Sequence, residues 1–509
     1  MRLVDLVRAA QRISSTSRRS EKVAVLSEVL GSLKPEEAAA AHWLAGELPG
    51  GKLGVGYRTL QNLDPPPAEE PTLTVDEVDR AHRAIRAEKG PGSTARRLER
   101  LTELLRRATA AEQEHLRRLW VAELRQGALE SLVLEGLAAA TGLPEADVRR
   151  AQMLASNLTE VTAAALGEGA AGLARFDLTL FRPVLPMLAQ PAESLPEAWS
   201  AVDAPILELK LDGARIQVHR EGSDVRVFSR RGNDVTAAVP EVVEAASVLP
   251  VRSAVLDGET LAMTADGKPR PFQTTMRRFG RKGGGLALRE ELVLSTFFFD
   301  LLLLDGRSLL DAPAAERFRA QDSVVPATSA IPRERPADLH AAERFVRRAF
   351  DGGHEGAMLK AGNSRYEAGR RGAHWLKIKQ AHTVDLVVLA AEWGSGRRRG
   401  WLSNLHLGAR DGDRFVMLSK TFKGLTDDML RTQTNALLSL QTQREDHVVH
   451  VRPEWVVEVA YSDVQLSPHH PAGLALRFAR VKRHRPDKPA SSVTPLEHFR
   501  DHWARMNGD

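Results

Sequence analysis

Residues 208–215 read Glu-Leu-Lys-Leu-Asp-Gly-Ala-Arg, which sets Lys210 between an acid, Glu208, and an Asp-Gly step. A lysine amine is a candidate covalent nucleophile once neighbouring cations or desolvation free its lone pair. The apolar run 204–207 precedes Lys210 and the alternating stretch 216–220 follows, so it is expected at the end of one strand. The Asp212-Gly213 step is expected to form a hairpin turn to the next strand, where a ligand can approach the backbone. Alone, Lys-x-Asp-Gly is also satisfied by a solvated lysine before a turn.

Further along, other polar residues punctuate strand-like runs. Arg230 and Arg231 precede Gly232, Glu259 follows the Asp257-Gly258 step, and Phe299 lies in the apolar run 297–302. Glu355 stands beside Gly356, and Lys377 and Lys379 share one face of a strand because alternate residues point the same way. Singly, each has a structural explanation: carboxylates that cap turns, a core ring, a charged edge strand. Together, an amine, two acids, two arginines and two lysines at strand ends suit a nucleoside triphosphate. The acids can hold Mg2+, the cations neutralise phosphate oxygens as charge develops, and an aromatic face stacks on a base.

The chain of 509 residues is long enough for about three domains. Hydrophobic and charged contents of 43% and 27% fit a soluble globular protein. No run of eighteen apolar residues occurs, and the first residues carry charge where a signal peptide would be apolar, so a cytoplasmic location is expected. Cysteine is absent, which excludes disulfides, Cys-ligated zinc and thiol chemistry. The net charge of +5 is modest, yet arginine pairs such as Arg106-Arg107 and Arg149-Arg150 recur, which permits a nucleic-acid partner without demanding one.

Residues 1 to about 173 carry apolar residues at three and four spacing, as in 75–85, and predict helices only. Around 181–192 several prolines and a lost helical period mark a linker. The texture then switches to short β-branched and aromatic runs, a mixed α/β (α+β) domain, and near His382 to the strands of a small antiparallel barrel. The expected domains are 1–180, 181–382 and 383–509.

In this order, from about Phe181 to Lys488, the segments resemble the motifs of the covalent nucleotidyltransferases, most closely the ATP-dependent DNA ligases. The resemblance implies that Lys210 is adenylated and that Glu208 reads the adenine amino group. It implies that Arg215 and Arg230 contact ribose, phosphate or the nicked end, that Glu259 and Glu355 contact ribose and metal, and that Phe299 stacks on adenine. Lys377 and Lys379 correspond to lysines on the α-phosphate, and the tail from Leu476 to Lys488, with Arg477 and Lys488, to the motif that orients leaving pyrophosphate on an OB-fold β-barrel. Ala479 stands where the family usually has proline, which puts the rigidity of that strand in question. The helical first domain, with Gly54-Val-Gly-Tyr57, resembles the all-α N-terminal DNA-binding domain of the larger archaeal, eukaryotic and actinobacterial ligases.

The implied activity is nick sealing with ATP and Mg2+, Mn2+ being the alternative metal, in DNA replication, repair or recombination. Implied partners are nicked double-stranded DNA, bound independently of sequence and with strong salt dependence, and a sliding clamp or repair factors. The enzyme is expected to be monomeric and associated with the nucleoid. An RNA ligase or capping guanylyltransferase is disfavoured because those resemblances lack the helical domain, and an NAD-dependent ligase because its four-cysteine zinc module cannot exist here. A DNA-binding scaffold with a dead site is disfavoured because every reacting position carries a competent residue. The barrel is expected to swing about residues 379–385, bringing Arg477 and Lys488 to the first step only. Residues 262–288 are read as a DNA-facing loop in preference to a surface insertion.

Overall fold

The computed structural model describes residues 1–51, 53–56, 59–60, 62–121, 123–124, 129–279, 289, 292–367, 374–379 and 382–507. Tyr57, the glycine run 283–285 and residues 380–381 of the expected hinge lie outside them.

Among the described residues, the elements before residue 189 are helices, from Leu3–Ser15 to Leu158–Ala174. The segment 75–87 shows why. Thr74 Oγ1 accepts from Glu77 N at 3.3 Å while Glu77 accepts from Thr74 N at 3.0 Å, a reciprocal cap that satisfies two orphan donors at the helix start. Val75, Val78, His82 and Ile85 then bury one face. Val75, Val78 and Ile85 join a core with Leu6, Leu26, Trp43, Leu101, Leu137 and Val161.

The stretch around 181–192, expected as a linker, is packed instead over its first part, as is the segment just before it. Leu178, Val184 and Met187 enter a core with Leu211, Phe299, Tyr366 and Trp375, and with Met153 and Leu154 from the helices. Leu185 N donates to Met153 O at 3.0 Å and Met187 N to the Tyr366 hydroxyl at 3.0 Å. The prolines break the helix without freeing the chain.

The middle of the chain holds two five-stranded sheets built from β1 (Gln190–Pro191), β2 (Pro205–Lys210), β3 (Ala214–Glu221), β4 (Asp224–Ser229), β5 (Ser253–Ala262), β6 (Leu294–Leu304), β7 (Arg307–Ser308), β8 (Arg333–Glu334), β9 (Gly356–Ala361) and β10 (Trp375–Lys379). One sheet runs β1-β10-β9-β2-β8 and the other β4-β3-β5-β6-β7. Strands β2 and β3 therefore belong to different sheets, and the Asp-Gly step is a crossing between sheets, not the turn of a hairpin. Gly213 is required by that crossing: a Cβ there would lie 2.5 Å from Thr260 O and 2.9 Å from Leu261 Cβ.

The last part comprises β11 (His382–Trp393), β12 (Leu402–Asp411), β13 (Arg414–Thr421), β14 (Gln441–Glu445), β15 (Val448–Val451), β16 (Val456–Tyr461), β17 (Asp463–Leu466), β18 (Leu474–Arg477) and β19 (Arg480–His484). A seven-stranded sheet runs β13-β12-β11-β15-β14, with β16 pairing both β11 and β19, and β17 and β18 form a separate antiparallel pair. Leu386, Leu405, Leu407, Val457 and Val459 form its core with Leu430 and Leu437 of the helix Asp427–Ser439 and Phe499 of the helix Leu496–Asn507. Among the described residues no helix is long and apolar enough to cross a membrane.

Candidate active site

Strand register assembles the centre of the site. On β9, Gly356 faces Lys210 of β2 on one side and Lys379 of β10 on the other. Glu355, one residue earlier, thus sits between two lysines that are 169 positions apart in sequence, and its carboxylate accepts from Lys210 Nζ and from Lys379 Nζ. No side chain fits at Gly356, where a Cβ would lie 2.0 Å from Ile378 O and φ is +149°. Burial pushes the Glu355 carboxyl up, but the pull of Lys210 and Lys379 outweighs it and holds the group below the usual carboxylate range.

Behind Lys210 lies Glu259 on β5, whose Oε1 accepts from Gly213 N at 3.1 Å. Burial pushes its carboxyl up to about 7, against the opposing charges of Lys210 and Arg215. Arg215 donates to Asp257 Oδ2 at 2.8 Å and to Met187 O at 2.7 Å, and Tyr366 donates to the same Asp257 oxygen at 2.5 Å. The Arg215 guanidinium lies 5.2 Å from the centre of the Phe299 ring, which stands edge-on to Trp375 at 6.0 Å.

Two residues before Lys210 and on the same strand face, Glu208 is buried. Its oxygens take Arg333 Nε at 2.8 Å and Lys360 Nζ at 2.5 Å. Arg333, Lys360, Asp257 and Tyr366 carry no signal that sequence reasoning picked up. The parity of β9 could have found Lys360, which lies four residues beyond Gly356 and so on the same strand face, whereas the two-residue β8 has no periodicity to read.

The C-terminal part contributes Arg477, at the end of β18. It donates to Asp212 Oδ2 at 2.7 Å, across the boundary between the two parts, and closes a cleft of about 400 Å3 also lined by Glu355, Lys379, Phe272 and His502. Next to it Phe478 has φ +56° and an exposed ring 5.6 Å from Lys379 Nζ. The backbone at Ala479, where proline was expected, is tied down, since its carbonyl accepts from Thr421 Oγ1 at 2.6 Å.

Two of the expected residues stand apart. Lys488 pairs with Asp385, which also holds Arg485 at 3.1 Å, and does not line the cleft. Arg230 is exposed in the turn after β4. Lys377 is half-buried on the same β10 face as Lys379.

Among the described residues no three His, Cys, Asp or Glu side chains converge as a metal set. Mg2+ is commonly held by one or two carboxylates with phosphate oxygens and water completing its shell. Glu259 and Glu355 fit that role beside a triphosphate.

At a crossing of two sheets two lysines meet one carboxylate, and an arginine arrives from the C-terminal part, a set of cations able to meet an anionic ligand. Comparison with known proteins narrows the class. Residues 186–379 match the model for the ATP dependent DNA ligase domain, 398–488 that for the ATP dependent DNA ligase C terminal region, and 57–138 that for the DNA ligase N terminus. A probable DNA ligase of Anaeromyxobacter sp. (strain K) is 54% identical over 98% of this chain and 99% of its own. One of Saccharopolyspora erythraea is 50% identical over 98% and 97%. The solved structure Pmar-Lig_PreS3 shares the fold, with a TM-score of 0.60 at 19% identity over 94% of this chain and 99% of that one. The chain belongs to the ATP-dependent DNA ligases, and joining DNA at the expense of ATP is its function.

Proposed function

We propose that Lys210 attacks the α-phosphorus of ATP and expels pyrophosphate, leaving a lysyl-AMP phosphoramidate. AMP then passes to the 5′-phosphate of a nick in duplex DNA, and the 3′-hydroxyl attacks that phosphate and releases AMP. The observation that carries this reading is the contact of Lys210 and Lys379 with one carboxylate, Glu355. Glu355 can accept a proton from the Lys210 ammonium as the N–P bond forms, and a triphosphate entering the cleft can displace Lys379 onto the α-phosphate.

In this reading Glu208 accepts from the adenine amino group, Phe299 stacks on the base, and Arg215 and Glu259 face the ribose. Lys377 and Lys379 neutralise the α-phosphate. Arg477, closed onto Asp212, orients pyrophosphate for in-line departure. Glu259 and Glu355 hold Mg2+, or Mn2+, which when bound supplies charge neutralisation at the reacting phosphate. Lys488, held by Asp385 at the barrel surface, joins the phosphates only after that pair opens, while Arg230 is free to meet the nicked end.

Three domains serve these steps: a helical DNA-binding domain over 1–180, a nucleotidyltransferase domain over 181–382 and an OB-fold barrel over 383–509. Supporting this division are the separate apolar cores of the first and last parts. With Arg477 on Asp212, the barrel sits where the first step needs it. It must swing away about residues 379–385 before a nick can reach Lys210.

Two nicked duplexes test the order of steps, one with a 5′-phosphate and one already carrying 5′-AMP. Lys210→Ala is expected to lose sealing of the first and keep sealing of the second, and Arg477→Ala to show the same split more weakly. Equal loss on both substrates would contradict the assignment.

A further inference from the structure

Strand β8 meets β2 with Arg333 opposite Glu208. Beyond its 2.8 Å bond to Glu208 Oε1, the guanidinium donates from Nη2 to Phe299 O at 3.3 Å and to Gln321 Oε1 at 3.4 Å. Its Nη1 reaches Asp322 Oδ1 at 3.1 Å, and its centre lies 3.9 Å from the middle of the Phe318 ring. Lys360 mirrors part of this from the other side, bonded to the second Glu208 oxygen at 2.5 Å and to Phe299 O at 3.2 Å. One arginine and one lysine therefore hold both the Glu208 carboxylate and the backbone of the residue whose ring carries the base.

The two cations are not equivalent. An ammonium is a rotatable point charge that leaves a carboxylate free to turn about it, whereas a guanidinium fork bonded on three sides and stacked on a ring fixes a plane. The lone pairs that Glu208 has left then point in one direction, which suits a single donor such as the 6-amino group of a purine. They repel a 6-oxo group at the same place.

We propose that Arg333 is a positioning residue for base selection, locking the Glu208 carboxylate and the Phe299 backbone so that a 6-aminopurine is preferred. The proposal rests on Glu208 reading the adenine amino group. Lys360 supplies charge to the same carboxylate, and Arg333 supplies direction.

The test compares self-adenylation of the full chain by ATP and by purine riboside triphosphate, which lacks the 6-amino group, for wild type, Glu208→Gln, Arg333→Gln and Arg333→Lys. Wild type should prefer ATP by roughly 100-fold in kcat/KM, and Glu208→Gln should erase most of that. Arg333→Gln should cut the preference roughly tenfold by raising KM for ATP, with kcat and the KM of the analogue unchanged. Arg333→Lys, which keeps the charge but not the fork, should fall between, and it carries the test if the glutamine variant does not fold.

An unaltered preference in the Arg333 variants, or an equal loss with both nucleotides, overturns the proposal while leaving Glu208 in its role. A wild type that treats the two nucleotides alike, or a Glu208→Gln variant that keeps the preference, removes the Glu208 reading and the proposal with it.

Discussion

Strand β2 carries two carboxylate-centred ion clusters a few residues apart, and they are built to opposite ends. Around Glu208, the Lys360 and Glu208 side chains are 1% and 2% exposed. Around Glu355, the Lys210 side chain is 17% and the Lys379 side chain 28% exposed. Both have one acid and two cations. Sealed from water, the first cluster cannot exchange partners without leaving a buried charge alone, so it behaves as scaffold. The second borders a cleft, so its lysines can leave Glu355 when phosphate oxygens offer a better partner. Burial, not residue type, separates the two clusters.

Paired substitutions sharpen that contrast. Glu355→Ala should slow self-adenylation roughly 100-fold or more while thermal stability moves by no more than about 1 kcal/mol, because its lysines can be hydrated. Glu208→Ala should add a loss that Glu355→Ala lacks: stranding Lys360 and Arg333 should cost about 3–5 kcal/mol of stability, visible as an early thermal transition. Equal stability losses in the two variants would erase the distinction between the clusters.

A smaller effect concerns Glu259, a buried acid of the reactive side. Its carboxyl is pushed up to about 7 from an ordinary value of 4.5, so the folded chain holds a proton that the unfolded chain has lost. The stability lost to this group accumulates as pH rises from 4.5 to about 7 and is complete above that. Glu259→Gln should therefore raise the unfolding temperature by a few degrees at pH 8 and leave it nearly unchanged at pH 5. In wild type, more Mg2+ should be needed for half-maximal self-adenylation as pH falls below 7, since the protonated acid cannot ligate it. A metal requirement independent of pH would contradict a role for Glu259 in holding Mg2+.

Much of the Glu355 cluster is legible in the sequence because Lys210 ends β2 and Glu355 precedes β9, each near a glycine, as is Glu259 within β5. Lys210, Glu259 and Glu355 each stand within three residues of a glycine, and Gly213 and Gly356 prove to be positions where no side chain fits. The helix at 75–87 was equally readable from its apolar spacing. Of the sealed cluster only Glu208 was legible. Arg333 lies in a polar Pro-Arg-Glu-Arg-Pro stretch whose two-residue strand gives no period, and its partner is 125 positions away.

Asp212-Gly213 misled for a physical reason: the step has hairpin chemistry, but β2 finds its partners in β8 and β9, and β3 in β4 and β5. The proline-rich stretch after 181 misled in the other direction, since Leu185 and Met187 carry it into a core shared by Met153 and Leu154 of the helices with Leu211, Phe299 and Trp375.

Incubation with Mg2+ and either α-labelled or γ-labelled ATP, followed by denaturing electrophoresis of wild type and Lys210→Ala, tests most directly whether Lys210 carries the nucleotide. Label retained from the α position alone, and lost in Lys210→Ala, is the expected result. Label retained from the γ position, or from the α position in Lys210→Ala as strongly as in wild type, would contradict covalent adenylation at Lys210.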